Sequence, residues 1–254
     1  MPTISEPVAS PSIPFPTLQR PWLGLWSALS ILGLWGTSLV TFVFLLDWTH
    51  LSPWWIAPAV LWQMFLYTGL FITAHDAMHG TVVPQNRRWN HRIGAIAVKL
   101  FALFDYQQLL KKHWQHHRSP ASDCDPDYHV PSKDGFWQWY VNFMWNYSTW
   151  GSMLGFTFIF NGLTLGLHFP RFNLLVFWIL PSILSSLQLF YFGTYLPHRR
   201  PPEGYRDRFR TRSYRFRYFL SFLACYHFNY HEEHHRYPHL RWWQLPAATL
   251  ESNH

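Results

Sequence analysis

Four long apolar runs divide the chain, and each is long enough to cross a lipid bilayer. They cover residues 22–46, 54–74, 151–169 and 172–196. A membrane-spanning helix needs about 20 predominantly apolar residues in succession. Short turns containing Pro53 and Pro170 join the runs in two pairs. The pattern therefore predicts an all-α integral membrane protein with four transmembrane helices; buried helices in a large soluble core are the alternative.

The distribution of basic residues predicts how these helices are oriented. Of the 20 Lys and Arg residues, only Arg171 falls in the short loops 47–53 and 169–172. Cytoplasmic segments of membrane proteins are enriched in Lys and Arg. We therefore expect both termini and the segments 75–150 and 197–254 to face the cytoplasm.

The remaining segments complete the domain plan. Residues 1–19 are rich in Pro and Ser and contain no Lys or Arg, which predicts a disordered tail rather than a signal peptide. Residues 20–254 are expected to form one membrane domain. Within it, residues 93–110 are apolar with polar interruptions, which favours an amphipathic helix at the membrane surface over one that dips into the bilayer. Two cysteines provide no disulfide framework and suit a reducing compartment.

Histidines are concentrated in three short boxes, all within the segments expected to be cytoplasmic. The boxes read HDAMH at 75–79, HWQHH at 113–117 and HFNYHEEHH at 227–235. If each box is helical, spacings of three and four residues place its histidines on one face. A row of imidazoles indicates a metal site, whereas a solvated histidine patch is the alternative. Two HxxHH boxes and one HxxxH box supply about twice the ligands that one tetrahedral zinc ion takes, which predicts two metal ions.

The donor set narrows the choice of metal. Nitrogen-rich sites with few carboxylates or thiolates suit iron, copper or zinc. Structural zinc would not require so many ligands, and copper would more often recruit Cys or Met. Two iron ions that activate dioxygen against an unactivated C–H bond would explain both the ligand number and the membrane setting. The substrate would then be a lipid that reaches the site from the bilayer.

The boxes and their surroundings resemble a known family. HDAMHG, HWQHH and HEEHH at the ends of four apolar runs resemble the membrane fatty-acid desaturase and hydroxylase superfamily. Three further motifs are similar to bacterial and cyanobacterial β-carotene ketolases: FGTYLPHR at 192–199, DCDPDYH at 123–129 and WWQLP at 242–246. The resemblance runs from about residue 20 to the end of the chain. It implies a histidine-rich di-iron cap on the cytoplasmic side of a bacterial inner, cytoplasmic or thylakoid membrane.

The resemblance also implies a reaction. Ketolases of this kind oxidise C4 and C4′ of β-ionone rings to ketones by two successive hydroxylations, giving echinenone and canthaxanthin, or astaxanthin from zeaxanthin. Such a reaction requires two non-haem irons, dioxygen and external electrons, for which reduced ferredoxin is the expected donor. A carotenoid 3-hydroxylase or a fatty-acid desaturase would share the metal core. A membrane protein that binds or transports metal without redox chemistry would place ionisable residues inside the spans, and these runs contain almost none.

Residue by residue, the resemblance implies nine metal ligands. They are His75, His79, His113, His116, His117, His198, His231, His234 and His235. Asp76 is expected to orient an imidazole from beside the first ligand. His227 precedes the third box by one helical turn and is expected either to support the ligands or to be a ligand itself.

Other residues near the boxes have weaker interpretations. Asp125, Asp127 and His129 belong to the ketolase-like motif, and the sequence assigns them no specific role. Trp114 and Phe228 are expected to line an apolar tunnel for a rigid polyene.

A basic stretch follows the last apolar run. Residues 199–217 contain eight arginines in 19 positions. Contact with anionic lipid headgroups explains this stretch, and so does a docking surface for an acidic electron-donor protein. The expected partners are therefore the carotenoid, membrane lipid and this donor protein, without a nucleic acid.

Overall fold

The computed structural model describes residues 20–129 and 133–249, and all the regular secondary structure in these ranges is helical. This confirms the predicted all-α fold class. The predicted tail, residues 1–19, lies outside the described residues. The α-helices of the described ranges are α1 (Trp22–Val40), α2 (Ile56–Met78), α3 (Arg87–Ala102), α4 (Tyr106–Arg118), α5 (Phe136–Tyr147), α6 (Trp150–Asn161), α7 (Arg171–Leu174), α8 (Leu180–Phe190), α9 (Leu196–His198), α10 (Tyr218–Cys225), α11 (His231–Arg236) and α12 (Leu245–Ala248).

Three continuous helical stretches are long and apolar enough to cross a membrane. They are Trp22–Leu45, Pro53–Met78 and Arg171–His198, which contain α1, α2 and α7 to α9 respectively. Wide π-helical turns extend α1 and join α7, α8 and α9 into one helix. Large apolar side chains remain on the outside of these helices, such as Trp26 with 64% of its surface exposed. Such surfaces suit contact with lipid tails rather than with water.

The remaining predicted span, which is the third apolar run along the chain, is a shorter helix than expected. The 12 residues of α6 continue into a five-residue π-helical turn that ends at Gly166. His168 then adopts a left-handed conformation with φ of 57°, which a helix interior does not tolerate. The predicted run 151–169 therefore ends three residues early. Its apolar side chains nevertheless face outwards, and Phe158 is 80% exposed.

The segment between the first two histidine boxes differs from the expected single helix. Residues 93–110 fall in two helices, α3 and α4, whose axes meet at 99°. Leu103 ends α3 in a left-handed conformation with φ of 55°, and the Asp105 carboxylate then caps α4 by accepting the Gln108 N–H at 2.8 Å. Only α4 carries the second box. The single-helix prediction is wrong because these two local capping interactions outweigh a continuous apolar pattern.

The close packing of α3 against α2 depends on a glycine. A Cβ atom on Gly94 would lie 2.7 Å from Ala77 Cβ and 2.6 Å from a ring carbon of Tyr106. Any side chain there would therefore push α3 away from the end of α2 that bears the first box.

The two short loops meet at one end of the helix bundle. The Asn173 side-chain amide donates to the Val43 carbonyl at 3.1 Å, and the ring of Trp48 stacks on Phe177 with centroids 4.1 Å apart. The first histidine box and His198 lie at the opposite ends of their helices. The fold thus separates a loop end from a histidine end.

The C-terminal segment is fastened to the histidine end by a buried arginine. Arg241 donates to the carbonyls of Thr81 at 2.9 Å, Arg20 at 3.2 Å and Pro21 at 3.2 Å. Next to it, Trp242 stacks on Phe222 of α10 with centroids 5.6 Å apart. A single side chain therefore links the start of α1, the loop after α2 and the C-terminal region.

This linkage predicts the effect of Arg241→Lys. A lysine keeps the charge but cannot direct donors to three separate carbonyls. We expect the free energy of unfolding to fall by about 3 kcal/mol, since a hydrogen bond to a charged group contributes about 1.5–3 kcal/mol and a buried acceptor left without a donor adds a cost. Thermal unfolding in detergent, followed by size-exclusion chromatography, measures the change.

The matched control is Arg88→Lys at the exposed start of α3. It should leave the unfolding temperature unchanged. Equal unfolding temperatures for the two variants would contradict the role assigned to Arg241.

Candidate metal centre

The first two boxes lie on the last turns of their helices. His75 is buried on α2, and His79 follows immediately as the residue that caps its C-terminus. The second box occupies the C-terminal half of α4, where His116 is buried. Both helix ends project their imidazoles into the same space, as the spacing of the boxes predicted.

The third box is not the single helical face that its spacing suggested. α11 begins only at His231, because Tyr226 and His227 adopt left-handed conformations with φ of 48° and 61°. This turn points His227 away from the other imidazoles. Its Nδ1 lies 2.8 Å from the Ser221 hydroxyl, and its ring packs against Trp242. The expected shared face for His227 is therefore wrong.

The nine histidines expected to be ligands converge in two adjacent clusters. Within each cluster the ligand-type atoms all lie within 4.8 Å of one another. The five-histidine cluster contains His75, His79, His113, His117 and His234. The four-histidine cluster contains His116, His198, His231 and His235. The structure thus brings together all nine residues whose role as ligands the resemblance implied.

Neighbouring residues in one box belong to different clusters. His116 lies in the four-histidine cluster and His117 in the five-histidine cluster; His235 and His234 divide in the same way. Successive side chains on an α-helix point about 100° apart, so two adjacent histidines face two different points. This geometry explains why both boxes end in a histidine pair.

Ring nitrogens face each other within each cluster. The Nε2 atoms of His79 and His113 lie 2.6 Å apart, and those of His117 and His234 lie 3.0 Å apart. In the four-histidine cluster, His235 Nε2 is 3.1 Å from the Nε2 atoms of His116 and of His231. Facing nitrogens this close cannot all carry protons. Lone pairs converging on one point are the arrangement that a metal ion requires.

Burial keeps most of these imidazoles in the neutral form that binds metals. Desolvation is the main cause that lowers the pKa of His117 to about 2, and positive neighbouring histidines add to it. The same cause lowers the pKa of a further set of histidines: His79, His113, His231, His234 and His235. Neutral, buried nitrogen donors in two groups fit two ions of a borderline metal such as iron, copper or zinc.

His116 is held by two carboxylates. Burial opposes its charged form, but Asp125 and Asp127 more than offset this and raise the pKa of His116. His116 Nδ1 lies 3.0 Å from Asp125, and the same carboxylate accepts the backbone N–H groups of Ala121 and Asp127 at 2.7 and 2.9 Å. A proton held on Nδ1 leaves Nε2 directed at the cluster. The structure therefore supplies the physical role that the sequence did not give for Asp125.

Asp127 makes a different contact from Asp125. Its carboxylate lies 3.7 Å from His116 Nδ1 and accepts a hydrogen bond from the Tyr147 hydroxyl. Burial is the main cause that raises the pKa of Asp127 to about 6. His129, the third residue of this motif, packs its ring against Tyr128 and Trp139 instead, with centroids 4.1 and 4.7 Å away.

Asp76 lies beside His75, and its role in orienting an imidazole stays a prediction. Its carboxylate lies 3.9 Å from His75 Nδ1, which exceeds hydrogen-bond distance. The backbone direction of neighbouring helical residues explains this, because the two side chains leave α2 in different directions. Asp76 is nevertheless buried beside the first box.

An apolar cavity reaches both clusters. His75 and His113 of the five-histidine cluster line it, as do His116 and His231 of the four-histidine cluster. The apolar part of its lining includes Phe71, Met78, Phe101, Phe104, Phe143 and Phe228. Phe228 therefore lines this cavity, and its role as a tunnel residue stays a prediction. Trp114 packs instead against the ring of His79, with centroids 5.2 Å apart.

Several supporting groups were not foreseen from the sequence. The Arg210 carbonyl accepts a hydrogen bond from His198 Nδ1 at 3.0 Å, and Tyr147 contacts Asp127 at the cavity wall. A backbone carbonyl has no sequence signature, and Tyr147 lies in an aromatic-rich helix where nothing distinguishes it. These contacts follow from tertiary structure alone.

The fatty acid desaturase family model matches residues 52–164 and 146–253 of the chain. These ranges include all three histidine boxes and His198. The chain belongs to the fatty acid desaturase family. The resemblance drawn from the boxes is thereby confirmed, and the apolar helices together with this family identify a membrane protein.

Proteins named as ketolases are among those similar to this chain. The chain is 42% identical to the beta-carotene ketolase of Paracoccus sp. (strain N81106 / MBIC 01143) over 192 residues, which cover 74% of this chain and 77% of that protein. It is 40% identical to the zeaxanthin 4-ketolase of Chlamydomonas reinhardtii over 236 residues, 89% of this chain and 51% of that protein. The beta-carotene 4-ketolase of Protosiphon botryoides is 43% identical over 190 residues, 72% of this chain and 49% of that protein. The chain thus spans about half the length of these two algal relatives.

The geometry predicts different metal contents for two histidine variants. His198→Ala removes one of four nitrogen donors from the four-histidine cluster, so we expect roughly half of the total bound metal to be lost. His227→Ala should retain the metal, because its ring lies outside both clusters. Elemental analysis of the purified proteins, with circular dichroism to verify helix content, measures both effects.

The two variants are matched, since both remove a buried imidazole. Equal metal loss in both, at equal helix content, would contradict the division into two clusters.

Proposed function

We propose that this protein is a β-carotene ketolase, which oxidises C4 and C4′ of β-ionone rings to ketones. The observation that carries the proposal is the apolar cavity whose wall includes histidines of both clusters. A ring bound there would be enclosed by aromatic and aliphatic side chains, with its edge beside the imidazoles. The names of the similar ketolases support the same substrate class.

We propose that the two clusters each hold one non-haem iron. The nine residues already named would be the ligands, with His116 oriented by Asp125 and His198 by the Arg210 carbonyl. When bound, the iron pair would supply the activation of dioxygen. The chain itself contributes ligand direction, a neutral nitrogen donor set and a cavity with few polar groups, which limits access of water to the reacting carbon.

The overall reaction determines what else must reach the site. Each hydroxylation consumes one O₂, two electrons and two protons and releases one water. The second gives a geminal diol that loses water, so a CH₂ group, two O₂, four electrons and four protons become a C=O group and three waters. The electrons must come from an external donor, and we propose reduced ferredoxin, an acidic one-electron carrier.

The substrate is expected to enter from the bilayer. β-Carotene is an extended hydrocarbon and partitions into lipid, and the helices around the cavity carry exposed apolar side chains. Two polar groups, Ser186 and Thr194, also line the cavity. A hydroxylated ring such as that of zeaxanthin would find hydrogen-bonding partners there.

We propose that residues 20–254 form one membrane domain with four spans. These are the three long helical stretches and the short helix that begins at Trp150. Both termini and the metal centre would face the cytoplasm, and in bacteria the membrane would be the inner or the thylakoid membrane. Support comes from the loop end, where the turns at Pro53 and Pro170 meet, and from the nearly complete exclusion of basic residues from those turns.

Expression in a bacterial host that accumulates β-carotene tests the activity. We expect the wild-type protein to convert β-carotene to echinenone and canthaxanthin, because both rings present the same allylic carbon. Chromatographic analysis of the pigments measures conversion. The purified protein should contain two irons per chain in the same sample, by elemental analysis, if each cluster takes one ion.

His116→Ala is the matched inactive control, since it removes an imidazole of the four-histidine cluster. Formation of 3-hydroxylated products without ketones would assign the protein to the hydroxylases instead. Full activity with one zinc per chain would contradict the di-iron assignment.

Topology has its own test. Single cysteines introduced at Pro53 and Pro170, in a background without Cys124 and Cys225, should react with a membrane-impermeant thiol reagent from outside the cell. A cysteine at Arg118, at the exposed end of α4, should react only after permeabilisation. Labelling of all three positions from the same side would contradict the four-span arrangement.

A further inference from the structure

A polar pocket opens on the protein surface beside the four-histidine cluster. Arg200, Arg206 and Arg210 line it, together with the rings of Tyr128 and Tyr205 and the carboxylates of Asp123 and Asp207, so arginines outnumber acidic residues in its wall by three to two. The three arginines are exposed, and Arg206 has 88% of its side chain accessible. This arginine pocket is separate from the apolar cavity, since the residues lining the two are different.

One wall of the arginine pocket is bonded to His198. The Tyr205 hydroxyl donates to the His198 carbonyl at 2.7 Å and lies 2.9 Å from the Tyr128 hydroxyl. The Nδ1 atom of His198 lies 3.0 Å from the carbonyl oxygen of Arg210. A single hydrogen bond therefore separates the pocket wall from a histidine of the cluster.

A second path of hydrogen bonds leads from the pocket wall to His116. The Arg210 guanidinium donates to the Ala121 carbonyl at 3.1 Å, and the Ala121 N–H donates to Asp125, the partner of His116. Both routes end on the four-histidine cluster. Two short paths of covalent and hydrogen bonds therefore link the pocket wall to this cluster.

The positive charge around the pocket favours binding of an acidic partner. The stretch 199–217 contains eight arginines but only two acidic residues, Glu203 and Asp207. Both are already matched to arginines, Glu203 to Arg206 at 3.8 Å and Asp207 to Arg236 at 3.5 Å. The unmatched positive charge attracts negative surfaces over about 8–10 Å at moderate ionic strength.

The two halves of the basic stretch face different surroundings. Arg215 and Arg217 alternate with the exposed Phe216 and precede the exposed apolar residues Tyr218 and Phe219 at the start of α10. Aromatic side chains beside arginines are typical of a segment in the lipid headgroup region. The arginine pocket belongs to the other half and is lined by polar groups and tyrosines, which suits a protein surface instead.

We propose that the arginine pocket is the docking site for an acidic one-electron carrier protein that supplies the four-histidine cluster. This inference rests on the proposed function, which requires four electrons for each ketone formed. In each transfer a reduced [2Fe–2S] centre of the carrier would lose one electron, and the metal pair held by the two histidine clusters would take it up. The basic stretch is thereby divided into a docking half at the pocket and a lipid half at α10.

Charge reversal in the docking half tests the proposal. Arg200→Glu/Arg206→Glu is studied in the full chain, reconstituted in lipid nanodiscs with a plant-type [2Fe–2S] ferredoxin. We expect the KM for ferredoxin and the Kd for its binding to rise at least about tenfold at low salt, with kcat at saturating ferredoxin unchanged. High salt should bring the wild-type values towards those of the variant.

Two matched double variants serve as controls. Arg87→Glu/Arg88→Glu reverses two exposed charges at the start of α3 and should leave both constants unchanged. Arg215→Glu/Arg217→Glu reverses the lipid half; it should weaken association with anionic vesicles while ferredoxin binding stays within about twofold of wild type. Loss of ferredoxin binding in this variant, with normal binding in Arg200→Glu/Arg206→Glu, would overturn the proposal and place the carrier elsewhere.

A chemical electron source separates this proposal from the proposed function. In place of ferredoxin, each protein is reduced without O₂ by a stoichiometric amount of dithionite with methyl viologen, and O₂ is then added. Over repeated cycles, the wild type and Arg200→Glu/Arg206→Glu should form ketone at equal rates per cycle. If neither forms ketone, the proposed function fails, whereas ferredoxin binding still decides the docking site. A lower rate of the variant with the chemical source would show damage to the metal centre and overturn the assignment of these arginines to docking alone.

Discussion

A buried imidazole can serve as a metal ligand only when it is neutral and its free lone pair faces the ion. The protein brings nine candidate ligands together within one small volume. Helix ends fix the direction of the rings, and burial lowers the pKa of His79, His113, His117, His231, His234 and His235. Hydrogen bonds then fix the proton at two positions, His116 through Asp125 and His198 through the Arg210 carbonyl. The rest of the fold keeps these rings in place.

That task is divided between the membrane helices and the segments that close over them. α2 and α9 bring His75 and His198 to the same end of the bundle, and the sharp bend after α3 turns α4 across that end. Among the described residues after His198, no helix is long enough to span a membrane, yet this part of the chain carries three of the nine clustered histidines, His231, His234 and His235. Arg241 attaches this segment to carbonyls near the start of α1 and after α2. Ligands that are distant in sequence are therefore held by one rigid frame.

Much of this could be predicted from local sequence patterns, and what could not depends on single backbone conformations. The spacing within the second box and the apolar runs correctly indicated helices, histidine faces and most of the spans. The left-handed turn at His227 removed that residue from its expected face, and the one at Leu103 divided a predicted helix. No sequence pattern predicts the role of Asp125, because the loop that brings it to His116 has no periodicity.

The assignment of adjacent histidines to different clusters has a mechanical consequence. His116 and His117 share one peptide unit of α4, and His234 and His235 share one of α11, so each helix end contributes to both clusters. The distance between the two sites is therefore set by covalent geometry within two rigid helical turns, which deform far less than the contacts between helices. Movements of the surrounding helices shift the pair of sites as a single body and leave their separation unchanged.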